Sequence, residues 1–161
     1  MKRVQLALFH ICLCLSFFFS PNTQAQKGVA PPPVSGQTAK GLRITILAVT
    51  RMNEWRSKTP SEDGEYIEYK AKEGQEFVVV RIRVTVVTPA EAIGFSPVKL
   101  EDSEGNKIAP LVLPWNSGKF ARGQTVIQEI VFRTPKGAKF KTFQAEDLAL
   151  NIEKFGEKKS G

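Results

Sequence analysis

Hydrophobic side chains recur at every second position through most of the chain beyond Leu42, and that period of two predicts strands rather than helices. The clearest case is Phe77 to Val87. There Val78, Val80, Ile82, Val84 and Val86 share one face, while Phe77, Val79, Arg81, Arg83 and Thr85 share the other. The same alternation marks Leu42 to Val49, Thr125 to Phe132, and Leu148 to Ile152; in the second of these Gln128 alone interrupts the apolar side. Shorter runs at Glu65 to Lys70, Phe95 to Leu100 and Lys107 to Leu113 bring the expected strands to seven. Gly or Pro falls between neighbouring runs, and no stretch of ten residues carries apolar groups at helical spacing. Glu91-Ala92-Ile93 offers at most one helical turn. The expectation is an all-β chain folded as an immunoglobulin-like antiparallel two-sheet sandwich.

The ends read differently. Met1, Lys2 and Arg3 form a basic start, Val4 to Phe19 is an apolar run of 16 residues, and Ser20 to Ala25 closes in Thr23-Gln24-Ala25, with small residues where a signal peptidase reads. A membrane span wants about 20 apolar residues, and this run is shorter and breaks at Pro21, so residues 1–25 are expected to be a signal peptide cut after Ala25. The product is then exported, periplasmic or secreted. Cys12 and Cys14 follow Ile11 and Leu13 inside the apolar run, not small residues after it, which argues against a lipid anchor. Residues 26–40, with Pro31-Pro32-Pro33 and almost no large apolar group, read as an extended linker. Residues 155–161 read as a polar tail, leaving 41–154 as one folded domain.

Composition sharpens the chemistry. The 161 residues carry 23 Lys and Arg against 16 Asp and Glu, and the only His (His10) and both Cys lie before the expected cut. After it, 136 residues remain with a net charge of +5 and neither residue type. Ser–His, Cys–His and Cys/His metal chemistry are thereby excluded for the mature chain, and no cofactor or metal is expected. The basic residues are interleaved with acids and lack an accompanying run of stacking aromatics, which argues against a nucleic-acid partner. Glu62, Asp63, Glu65, Glu101, Asp102 and Glu104 leave a carboxylate-dependent hydrolase as an alternative, although all sit in turn-like surroundings. Asp102, Glu104 and Asn106 alternate as calcium ligands do, yet Gly105 precedes Asn106 where a calcium loop has its Gly after the third ligand, so a hairpin turn is expected instead.

Two features point to a contact surface. Residues 51–65 are the part of the domain least bound to a pattern, and Trp55, Tyr66 and Tyr69 bracket that stretch with aromatic rings. Arg81 and Arg83, with Lys99 expected on a neighbouring strand, form a basic stripe. Trp55 or Trp115 is a candidate for core bulk in a sandwich that has no disulfide.

The long strand Phe77 to Val84, the strand Phe95 to Leu100 with its acidic turn Glu101 to Asn106, and Ala121-Arg122-Gly123-Gln124 before Val126 to Phe132 and Thr134-Pro135 together resemble the domain of unknown function numbered 4352. The resemblance covers about residues 41–154. It implies a telokin-like, immunoglobulin-like extracytoplasmic domain of bacteria with no catalytic residues to carry over. Members often have Asn where the long strand ends, whereas Thr85-Val86-Val87-Thr88-Pro89 stands there in this chain. Many members are lipoproteins, and this chain lacks the placement of Cys that this requires. The functional expectation is an exported, non-enzymatic module binding a protein or cell-envelope component. An alternative is a structural spacer, for which Phe77 and Val79 would be exposed beside the Arg pair.

Overall fold

The computed structural model describes residues 33–57, 63–114 and 116–156. The expected signal peptide, most of the expected linker, Trp115 and the last five residues of the expected tail lie outside them. Among the described residues the chain forms thirteen strands and one helical turn. In order these are β1 (Val34–Gln37), β2 (Leu42–Met52), β3 (Glu54–Arg56), β4 (Glu68–Lys70), β5 (Gln75–Val86), β6 (Ala90–Ile93) and β7 (Val98–Asp102). Then come β8 (Lys107–Ile108), β9 (Pro110–Val112), β10 (Asn116–Phe120), β11 (Thr125–Pro135), β12 (Phe140–Ala145), β13 (Leu148–Asn151) and α1 (Glu153–Gly156). One sheet runs β1-β2-β5-β11-β9 and a second runs β13-β12-β7-β8; β10-β6 and β3-β4 are two-stranded ribbons. Every pairing is antiparallel. The described residues therefore form an all-β antiparallel two-sheet sandwich.

The alternation that predicts β5 also builds the core. Val78, Val80, Ile82, Val84 and Val86 are buried together with Leu42, Ile44 and Ile46 of β2, Ile130 and Phe132 of β11, and Leu100, Phe143 and Leu150 of the facing sheet. Phe132 meets Phe143 edge to face with centroids 6.4 Å apart, which joins the two layers at mid-core. At the β5 N-terminal end Arg51 turns inward. Its guanidinium pairs with the Glu76 carboxylate, donates to the Ala138 carbonyl and lies 5.2 Å from the Phe140 ring centroid, while Gly137 N–H donates to Glu76 Oε1 at 2.8 Å. A charge held by so many partners can be buried without prohibitive cost.

The outer side of β5 is not bare at that end. Phe77 and Val79 are buried beneath Trp55, Tyr69, Ala71, Leu111 and Val112, forming a second, smaller core with Val131. The exposure on which the spacer alternative rests is thus absent, because β3 and β4 fold back as an arm over these two side chains.

Other expectations shift in instructive ways. Val34–Gln37, read as linker, is an edge strand whose residues pair with Ile46 to Arg43 of β2; Gly36 lets it approach Leu148 and Leu150 of β13. A residue sequence so poor in apolar groups serves there because only one face meets the core. Lys107 to Leu113 is two strands in two sheets, parted at Ala109, with Ile108 opposite Leu100 and Pro110 opposite Phe132. Phe155, assigned to the tail, packs on the core from α1. Among the described residues no helix is long and apolar enough to cross a membrane.

Candidate functional site

Antiparallel register across β1, β2, β5 and β11 sets the outward side chains of the larger sheet in rows. Gln37, Arg43, Thr85 and Thr125 stand side by side; Ser35, Thr45, Arg83 and Ile127 form the next row; Ala48, Arg81 and Glu129 form a third. On β2, β5 and β11 the inward neighbours are, Gln128 apart, buried or half-buried apolar groups, so these residues have nowhere to point but solvent. Arg43, Arg81 and Arg83 are exposed, and Ile127, at 51% exposure, is an unusually open aliphatic side chain in the middle of a strand. Glu129 contributes a carboxylate 4.0 Å from Arg81 Nε. The result is a hydroxyl-rich platform carrying three guanidinium groups and the Glu129 carboxylate.

In the next two rows along the same strands the β5 side chains are covered. Val79 and Phe77 lie under the arm, where Trp55 and Tyr69 form a cross-strand pair with ring centroids 5.9 Å apart, and Tyr69 leans on Phe77 at 6.4 Å. The platform thus ends at a step made by β3 and β4. On the arm's polar positions Arg56 meets Glu68 at 3.2 Å and Lys70 meets Glu54 at 3.4 Å, both pairs largely exposed.

The sequence-predicted residues therefore divide. Arg81 and Arg83 share the open platform. Trp55 and Tyr69 are half-buried and spend their rings on the second core, while Tyr66 is exposed at 46% with the Arg56 guanidinium 4.5 Å from its ring centroid. Residues 51–57 are not a loop: Arg51 and Met52 end β2, and Glu54–Arg56 is a strand; 58–62 lie outside the described residues. Lys99 does not join the stripe, since it lies on β7 in the other sheet, opposite Gln144. Arg43 does join it and was missed. Its signal was its place between Leu42 and Ile44, on the polar side of a strand that would pair with β5.

The acidic turn is a hairpin turn. Gly105 has φ +89°, and the Asp102 carboxylate accepts from Glu104 N–H at 2.9 Å, Asn106 N–H at 2.8 Å and Asn106 Nδ2 at 2.9 Å. The Asn106 side-chain amide chiefly holds the Asp102 carboxyl below its ordinary range. Burial pushes the other way, and backbone N–H groups of Asn106, Glu104 and Gly105 add to the lowering. This carboxylate is spent on its own turn. Far from the arm, beyond the C-terminal end of β5, an open groove of about 510 Å³ is lined by residues that include Pro89, Glu91, Lys119 and Phe120.

No family model matches the chain, and no curated protein matches it. Among solved structures it is similar to a conserved hypothetical protein from Bacillus anthracis, with a TM-score of 0.51 and 17% identity over 73% of this chain and 91% of that one. An uncharacterised beta-sandwich protein from Clostridium difficile 630 gives a TM-score of 0.46 and 12% identity over 68% of this chain and 82% of that one. At such identities the Bacillus anthracis likeness speaks to the fold alone.

Proposed function

We propose that the protein is an exported, non-enzymatic β-sandwich module that binds a protein or cell-envelope component through the outer face of its larger sheet. The observation that carries this reading is the platform itself: Arg43, Arg81 and Arg83 stand open on one face, beside the exposed Ile127. Exposed cations gathered on one face, here with Glu129 beside Arg81, are where a recognition surface is sought. Export rests on the N-terminal signal, and the non-enzymatic reading rests on a mature chain without His or Cys. The resemblance to the domain of unknown function 4352 points the same way.

Two measurements test the proposal. Intact mass of the exported protein should place its first residue at Gln26; a product retaining Cys12 and Cys14 would overturn the export reading and return thiol chemistry to the chain. The mature protein, used as bait in envelope extract, should recover components that an R43Q/R81Q/R83Q variant does not. Equal recovery by both baits would remove the platform from consideration.

A further inference from the structure

We infer that the platform's ligand is a linear polyol phosphate, an anionic polymer whose phosphodiester groups are joined by short uncharged linkers. This rests on the platform being the binding face and names what it binds. Arg81 and Arg83 are two residues apart on one strand, so their attachment points are separated by about 6.6 to 6.8 Å. Arg43 stands opposite Thr85, one row along and one strand over from Arg83, at a diagonal distance of about 7 to 8 Å. The attachment points of the three cations therefore lie on a grid with one characteristic spacing, with the Glu129 carboxylate 4.0 Å from Arg81 Nε beside them. A three-carbon polyol between successive phosphates spans a similar distance, so neighbouring anions of one extended chain can meet neighbouring guanidinium groups. Arg suits this task because its planar fork donates two hydrogen bonds to one oxyanion. The hydroxyls of Thr45 and Thr85 stand between the charges, where the polymer's own hydroxyls or ester oxygens would fall.

Two other anionic partners fit less well. Protein interfaces gather aromatic or aliphatic anchors at a dry centre, and this platform offers Ile127 alone, because Trp55 and Tyr69 are turned to the second core. Single-stranded nucleic acid is held by stacking bases on aromatic rings as well as by charge, and none of the platform residues is aromatic. What remains is recognition by charge, spacing and hydroxyls, and it should be strongly dependent on salt.

The test measures binding of the mature exported protein to synthetic poly(glycerol phosphate), with poly-L-glutamate and oligothymidylate at matched charge, over a range of NaCl. Poly(glycerol phosphate) should bind most tightly, with log K falling linearly in log salt. R43Q/R81Q/R83Q should lose at least about tenfold in affinity and flatten that slope by about 2, at about 0.7 per phosphate released from a single strand. R43K/R81K/R83K should keep the slope and bind more weakly, as the bidentate fork is lost. K70Q/K72Q on the arm and its turn should bind as the parent does. The substituted Arg residues are exposed, and thermal melting matched to the parent verifies folding; R83Q alone serves if the triple variant melts early. Tighter binding of poly-L-glutamate would overturn the inference in favour of an acidic polypeptide, and tighter binding of oligothymidylate in favour of nucleic acid. An equal loss in K70Q/K72Q would reduce it to diffuse charge attraction. If poly(glycerol phosphate) fails to bind while envelope capture still depends on the three Arg residues, the polymer is wrong and the platform stands. If capture is also indifferent to them, both fall.

Discussion

Gln128 sits at an inward position of β11, opposite Ile82, with 4% exposure and neither amide atom hydrogen-bonded among the described residues. An unpaired buried amide costs about 1 to 3 kcal/mol, so Gln128→Leu, which keeps the volume and removes the polarity, should raise Tm by several degrees in a thermal melt. A lower Tm would mean that the amide has a partner in solution. Its place was legible as the one polar break in an apolar face, whereas its isolation depends on the neighbours that other strands bring. Asp102 gives a second test at this scale. Its folded pKa is depressed, so its contribution is complete above the ordinary value of 3.8 and is lost as pH falls through the lower folded value. Carboxyl titration by NMR should show Asp102 below the usual carboxylate range, and Asn106→Ala should move it upward, because the Asn106 amide is the largest cause of the lowering. An unmoved midpoint in that variant would contradict the assigned cause.

The arm is the element that most changes what the surface can do. Trp55 and Tyr69 occupy opposed positions of β3 and β4 and cover Phe77, so Trp55→Ala should cost about 2 kcal/mol and expose the arm to proteolysis, by lost burial and lost ring stacking. Arg56→Gln, which removes an exposed ion pair and an exposed contact with the Tyr66 ring, should change stability by less than about 1 kcal/mol in a denaturant titration of both variants. Comparable losses in the two variants would show that the rings do not hold the arm down. Glu65 to Lys70 was expected as a strand and holds β4, whereas β3 was not plain in the sequence, because three residues are too few to display a period. β12 escaped notice for another reason. Its pairing with β7 shifts register between Phe140 and Thr142, so Phe140 and Phe143 both face the core and the alternation is broken by a bulge. β6 and β10 were hidden by small or polar residues whose strand state comes from pairing with each other.

At the scale of the molecule, the long strands carried most of the legible information. β5 and β11 bury one face over most of their length and β2 does so from Leu42 to Ile46, before a bulge shifts its register, so their periodicity survives in the sequence and fixes the sandwich class. The open platform was half-legible. Arg81 and Arg83 announce themselves within one strand, but Arg43 and Ile127 reach them only through the register of β2 and β11 on either side. The division of the outer face into a covered and an open part was not legible, since it depends on β3, in residues that look like a loop, pairing with β4 to form the arm. The central claim is that the open part is the binding surface. Backbone amide shifts of the isotopically labelled mature protein, followed during titration with solubilised envelope fraction, test that claim most directly. The account predicts perturbations concentrated at Arg43, Thr45, Arg81, Arg83 and Ile127, with the arm and the groove at Pro89 and Phe120 unmoved. Perturbations centred on Tyr66 and the arm, or on that distant groove, would contradict it.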